Sequence, residues 1–167
     1  MKTTSALHSF AAVIGALVLA ALPLRAEMPV AKAEPSTTAI EKAILEANAR
    51  MIEAANSLNA DAFFEYILDS DKGVIIQNGV IFKTRSEALE AVKRGFVGIA
   101  KLKRQIENPR VIVITPELAV LTGEGNTVAT LHDGRTITNR FAISLIFQCK
   151  DGQWKVLQGH YSTPIPM

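Results

Sequence analysis

The apolar positions of this chain first recur at helical spacing and later alternate as they do in β-strands. The helical stretch comes first, with apolar residues at Ile40, Ile44, Ala47, Met51 and Ala55. This spacing places all five on one face of a helix. Thr38 and Glu41 stand three residues apart, as in a capping box, so we predict that the helix begins near Thr38.

Two shorter helices and a hairpin follow. Asn59 can cap a helix that carries a compact aromatic cluster, which includes Phe64 and Tyr66. Asn78-Gly79 is a strong hairpin signal between the short apolar runs 74–77 and 80–83. A third helix then begins at Thr84 or Ser86 and ends near residues 95–98, where two glycines lie.

The second half of the chain predicts four long strands, at residues 102–115, 118–131, 135–149 and 153–162. Asn108-Pro109 predicts a kink in the first of these strands. Asp133-Gly134 and Asp151-Gly152 join the last three strands. Helices followed by a mostly antiparallel sheet indicate an α+β fold, with the helices on one face of the sheet.

If both Asp-Gly pairs form two-residue turns, the register of the last three strands follows. Glu124 then lies opposite Ile143, and Ile143 opposite His160. Alternation places one apolar set on the inner face, closed at one end by Trp154 and Val156. Polar residues gather at the other end of that face, namely Glu124, Asn126, Gln158, His160 and Ser162. An apolar bowl with polar groups toward its mouth is typical of a small-molecule site.

The opposite, outer face carries Arg140 and Tyr161 among small and mixed residues, including Gly123 and Gly125. Such a face suits a second subunit better than a core. We therefore predict that Arg140 and Tyr161 are interface residues of a homodimer.

The first 26 residues predict a secretory signal peptide. Lys2 supplies a basic start, residues 10–24 are an uninterrupted apolar run, and Ala26 ends a cleavage site. Cleavage after Ala33 and retention as a membrane anchor are the alternatives, although the run falls short of the roughly 20 residues that span a bilayer. Residues 27–37 predict a flexible tether to a domain at 38–167. The protein is thus predicted to be exported, to the periplasm or outside the cell, without a stable membrane anchor.

Charge and motifs exclude several kinds of function. Removal of Lys2 and Arg25 with the signal peptide leaves 16 basic and 16 acidic residues, so the net charge is zero. A protein that binds nucleic acid normally carries an excess of basic residues, so we do not predict nucleic-acid binding. Lys101, Lys103 and Arg104, with two basic residues of the third helix, are interpreted as a solvated edge. Cys149 is alone and is interpreted as a buried, inert thiol. No spacing typical of a metal site, a phosphate loop or a nucleophile elbow is present, so neither metal nor cofactor is predicted.

The order of these elements resembles the SnoaL-like branch of the nuclear-transport-factor-2-like superfamily. The resemblance covers residues 38–164 and rests on the long first helix, the short helix at 59–68 and residues 86–89 (SEAL) at the start of the third helix. Its most specific part is residues 151–164 (DGQWKVLQGHYSTP). It implies a conical α+β fold, in which a curved sheet wraps a long helix around a cavity, and frequent dimerisation through the outer sheet face. Members include polyketide cyclases, ketosteroid isomerase, dehydratases and association domains, so the fold alone does not define a reaction.

The leading hypothesis is an exported, dimeric protein that binds a small, largely apolar molecule. Its predicted ligand-binding residues are Phe64, Tyr66, Asn126, Phe141, Ile143, Gln158 and Ser162. One alternative is a cyclase- or isomerase-type enzyme in which His160 and Glu124 perform acid–base catalysis. Another is a dimeric module that binds proteins through its outer sheet face.

Overall fold

A computed structural model describes residues 35–164. It contains three helices and a six-stranded sheet, in the predicted order of helices first and long strands last. The helices are α1 (Thr37–Asn56), α2 (Ala60–Phe64) and α3 (Arg85–Phe96). The strands are β1 (Ile75–Gln77), β2 (Val80–Phe82), β3 (Ile99–Thr115), β4 (Leu118–Leu131), β5 (Thr136–Lys150) and β6 (Gln153–Ser162). The predicted α+β class is confirmed, and the signal peptide and nearly all of the tether lie outside the described residues.

Side-chain caps set the helix starts. Asn59 accepts a hydrogen bond from Ala62 N at 3.0 Å and Thr84 from Glu87 N at 3.1 Å, as the sequence predicts. The predicted cap of α1 is wrong, because Ser36 rather than Thr38 accepts the bond, from Ala39 N. No helix among residues 35–164 is both long and apolar enough to cross a membrane.

The strands lie in the order β2-β1-β6-β5-β4-β3 and form a curved, unclosed sheet. β1 runs parallel to β6, and every other neighbouring pair is antiparallel. The helices cover the inner face, where the most deeply buried side chains meet: Ile44, Phe64, Leu121, Phe147 and Val156. Apolar burial on this face is the main driving force for the fold.

The first Asp-Gly turn differs from its prediction by one residue. Leu131 N donates to Arg135 O at 2.8 Å, so the loop contains three residues, ending in Gly134 with φ of 86°. Glu124 therefore pairs with Ala142, and Gly123 with Ile143. Because a one-residue shift exchanges the faces of a strand, the predicted register of β4 is wrong, and its even-numbered residues face outward.

The second Asp-Gly turn is the predicted two-residue turn, but the register slips further along β6. Lys150 pairs with Gln153, and Phe147 still pairs with Val156. A bulge at Leu157 then brings Ile146 opposite Gln158 and Ile143 opposite Tyr161. Residues 158–162 of β6 therefore face the opposite way from the prediction. Tyr161 faces the helices, and His160 does not.

Asn108 and Pro109 interrupt β3 as predicted. The register shifts between Glu107 and Arg110, and Asn108 has a φ of 47°. Leu102, Arg104 and Ile106 face inward before this irregularity. Val111 and Val113 pack on the core after it, which leaves Ile112 and Ile114 exposed.

Candidate functional site

An apolar cavity of about 270 Å³ lies between the helices and the inner face of the sheet. α1 contributes Met51 and Ala55, and α3 contributes Ala91 and Val92. The second helix and the long strands supply further apolar walls, including Phe63, Phe64, Leu102, Ile143, Leu145 and Val156. A largely apolar, concave space with few polar groups is the usual form of a small-molecule site.

Arg104 is the cationic side chain of this cavity wall. Its guanidinium carbon lies 4.5 Å from the ring centroid of Phe141 and 4.5 Å from that of Tyr161. The two ring centroids are themselves 5.1 Å apart, so the guanidinium contacts both members of one aromatic pair. Each such contact contributes about 0.5–1 kcal/mol at an exposed site and about 2 kcal/mol where it is desolvated.

No carboxylate among residues 35–164 forms an ion pair with Arg104. Burial lowers the pKa of its guanidinium from the ordinary value, and the phenol of Tyr161 acts in the opposite direction. Arg104 is half-buried, and its side chain borders the cavity. A charge removed from water without a counter-ion is costly, even when aromatic rings offset part of that cost.

Asn56 fixes the backbone of Arg104. Its side chain accepts from Arg104 N at 2.6 Å and donates to Arg104 O at 3.0 Å. These two bonds fasten the last turn of α1 to β3. The position of the guanidinium is therefore set from the backbone as well as from the rings.

Two residues that line the cavity each carry a buried polar atom that has no hydrogen-bond partner within residues 35–164. These atoms are Thr127 Oγ1 and Asn48 Oδ1. Thr127 pairs directly with Arg104 across β4 and β3, so both side chains stand on the inner face as neighbours. Most buried polar atoms in proteins are satisfied, which makes this unpaired hydroxyl beside a half-buried cation notable.

Gly125 makes room for the aromatic pair. A Cβ atom at this position would collide with Gln105 O and would lie 2.8 Å from Phe141 Cζ. The ring of Phe141 thus extends over the strand to reach Arg104. The prediction that Gly123 and Gly125 belong to the outer face is wrong, because the β4 register places them inside.

The two predicted acid–base residues do not come together in the structure. Glu124 is exposed on the outer face, where Arg140 Nη2 donates to its Oε2 at 3.1 Å. His160 pairs with Ser144, is largely exposed, and contributes only to the border of the cavity. The predicted alignment of Glu124 and His160 on the inner face is therefore wrong, because of the longer loop and the bulge.

The predicted ligand-binding residues divide into three groups. Phe64 and Ile143 line the cavity, and Phe141 lies behind Arg104. Tyr66 borders a separate polar groove beside Trp154. The remaining three lie on outer-face positions: Asn126, which bonds Glu107 at 2.8 Å, Gln158 and Ser162.

The predicted interface pair also separates. Arg140 is exposed on the outer face as expected, whereas Tyr161 packs against Phe141 and lines the cavity. The placement of Tyr161 at an outer interface is therefore wrong. Cys149 is half-buried, and residues 35–164 contain no cluster of His, Cys, Asp and Glu suited to a metal ion.

The interpretation of Arg104 as part of a solvated edge is wrong, because its side chain lies on the inner face and borders the cavity. Thr127 and Asn48 were not predicted as site residues, and of these three residues Arg104 and Asn48 carry a signal in the sequence. Arg104 alternates with the apolar Leu102 and Ile106, while its basic neighbours fall on the other face. Asn48 lies four residues after Ile44 and three before Met51, so it stands within the apolar stripe of α1. Arg104 and Asn48 share one signal: each is a polar residue at a position where the periodic pattern calls for an apolar one. Thr127 could be placed only once the register was known.

The chain belongs to the family of SnoaL-like domains, whose model matches residues 44–166. No curated protein matches the sequence. Among solved structures, it is similar to a nuclear transport factor 2 (NTF2-like) superfamily protein from Salmonella enterica, with 17% identity and a TM-score of 0.71 over 79% of this chain and 96% of that one. It is similar to an NTF2-like protein of unknown function from Pseudomonas putida, with 17% identity and a TM-score of 0.67 over 80% of this chain and 92% of that one. It is also similar to a hexachlorocyclohexane dehydrochlorinase, with 13% identity and a TM-score of 0.65 over 77% of this chain and 87% of that one. Identities this low establish the fold and no activity.

Proposed function

We propose that this protein is exported and binds a small, largely apolar molecule in the cavity between its helices and its sheet. The cavity carries this proposal, since its walls are mostly apolar and carry only a few polar groups. The basic start and apolar run of the first 26 residues support the export part of this proposal.

The binding test uses N-phenyl-1-naphthylamine, a neutral aromatic probe whose fluorescence rises in an apolar site. Wild-type protein should bind it with saturation, and Ala91→Phe should weaken the binding at least tenfold because a phenyl group enters the cavity from α3. Ala49→Phe makes the same change on an exposed position of α1 and should bind as the wild type does. Saturable binding that is equal in all three proteins would place the probe elsewhere, and no saturable binding to the wild type would contradict the proposal.

An enzymatic function is the second candidate. Structures with this fold include a dehydrochlorinase, so the fold accommodates elimination chemistry. The proposed pair of Glu124 and His160 lacks a common site here, and within the described residues Tyr161 and His160 are the titratable groups beside Arg104 that border the cavity. Removal of a proton by His160 would require a pH-dependent rate that His160→Ala abolishes and Glu124→Ala leaves unchanged.

The outer sheet face is proposed as a dimer interface. Ile112 and Ile114 are 61% and 56% exposed there, on the same face of the sheet as the polar pair of Arg140 and Glu124. Apolar side chains in such a position favour association. Light scattering after size exclusion should give twice the monomer mass for the wild type and the monomer mass for Ile112→Lys, whereas a wild-type monomer would contradict this interface.

A further inference from the structure

We propose that the ligand of the cavity carries a single carboxylate, which Arg104 and Thr127 receive, while its apolar body occupies the space beside α3. This inference rests on the proposed binding function and specifies the chemical class of ligand. It starts from one cation on an apolar wall that has no counter-ion within residues 35–164.

The surroundings of Arg104 explain why its charge is available to a ligand. Phe141 and Tyr161 both lie at 4.5 Å and occupy one side of the guanidinium. Aromatic faces stabilise the cation but accept none of its N–H groups in conventional hydrogen bonds. The five donors of the guanidinium thus have no acceptor side chain among the described residues, and the cavity is the open direction.

Thr127 provides the second contact. Its hydroxyl is buried, unpaired, and directly opposite Arg104 in the β3–β4 register. A hydroxyl is a donor toward a carboxylate oxygen, and a guanidinium offers paired donors to the same planar group. Together they match a carboxylate in shape, and the single charge of the wall matches a single charge on the ligand.

The nearest acidic residues of the strands are directed away from this site. Glu107 pairs with Glu124 on the outer face, where they bond Asn126 and Arg140 respectively. These carboxylates therefore do not compete with a bound anion. The lowered pKa of the Arg104 guanidinium agrees with a desolvated cation, and guanidinium groups remain protonated in proteins near neutral pH.

The test compares 4-phenylbutyrate with 4-phenylbutyramide by isothermal titration calorimetry near neutral pH. The two probes share one apolar body and differ in the charge of the head group. The wild type should bind the acid at least tenfold more tightly than the amide. Arg104→Met should remove that preference while leaving the affinity for the amide within twofold, because the methionine keeps an apolar chain of similar length.

Two variants serve as companions. Arg140→Met makes the same substitution on the outer face and should leave both affinities unchanged. Thr127→Val is isosteric and should lower the affinity for the acid three- to tenfold without changing the affinity for the amide. It also carries the test if Arg104→Met does not fold, as judged by circular dichroism.

The outcomes separate the two proposals. Equal binding of acid and amide by the wild type, or a preference that persists in both Arg104→Met and Thr127→Val, would overturn the carboxylate site and leave apolar binding in place. Failure of both probes to bind the wild type would overturn both proposals.

Discussion

Two arginines occupy opposite faces of the same sheet, and their surroundings differ in every respect. Arg140 on β5 is 68% exposed and bonds Glu124, which is itself 64% exposed. Arg104 on β3 faces the helices, lies over two aromatic rings and has no acidic partner within residues 35–164. The outer charge is solvated and paired, whereas the inner charge is partly desolvated and has no carboxylate partner within residues 35–164.

This difference separates surface chemistry from site chemistry. An exposed ion pair contributes little, because water and salt screen both charges. A buried charge without a counter-ion is costly and persists where another requirement maintains it. The inner face is therefore where substitutions should affect function, and the outer pair provides the matched reference.

The largest effect on the inner site should come from Gly125→Ala. The new Cβ would collide with Gln105 O and press on Phe141, so we expect a loss of about 3 kcal/mol or more in the free energy of unfolding. Urea denaturation measures it. Gly95→Ala is the control, since Gly95 lies in α3 with open space around it and should gain up to about 1 kcal/mol. Equal effects of the two substitutions would contradict the packing of Phe141 over β4.

Asn56→Ala should have the next largest effect. It removes two hydrogen bonds to the backbone of Arg104 and leaves partly buried groups unpaired, at a cost of about 1–3 kcal/mol. Asn139→Ala, at an exposed position of β5, should change stability by less than about 0.5 kcal/mol. If thermal and urea unfolding show no difference between these variants, then Asn56 does not anchor α1 to β3.

Arg104→Met should change stability little, in contrast to its effect on acid binding. The substitution loses the contacts with Phe141 and Tyr161 but also removes the cost of burying a charge. We expect a loss of no more than about 1 kcal/mol, or a small gain, by urea denaturation. A loss above about 3 kcal/mol would assign Arg104 a mainly structural role.

The smallest effects belong to the outer pair. Glu124→Ala, Arg140→Ala and the double variant form a cycle whose coupling energy should lie below about 0.5 kcal/mol. Added salt should reduce it further. A coupling above about 2 kcal/mol would mean that this pair is desolvated, and that it lies inside the proposed dimer interface rather than at its solvated rim.

The elements of the fold could be read from the sequence because their signals are local. Asn59 and Thr84 cap their helices, and Asp151-Gly152 forms its two-residue turn with Lys150 opposite Gln153. The apolar inner face of β5 was also predicted correctly, since Phe141, Ile143 and Phe147 are buried there.

The site could not be read in the same way, because it depends on two one-residue irregularities. Asp133-Gly134 is compatible with a two- or a three-residue loop, and the longer loop exchanged the faces of β4. The bulge at Leu157 has no Gly or Pro to indicate it, and it brought Tyr161 inward in place of His160. Local pattern fixes which residues form strands, whereas the faces of those strands depend on such irregularities.

A crystal structure of the full protein with 4-phenylbutyrate would test the central claim most directly. The account predicts that the phenyl group lies among the apolar walls near Phe64 and Val92. The carboxylate should lie about 2.7–2.9 Å from the Arg104 guanidinium nitrogens and within reach of Thr127 Oγ1. Density for the ligand on the outer face, or in the cavity with its carboxylate turned away from Arg104, would contradict it.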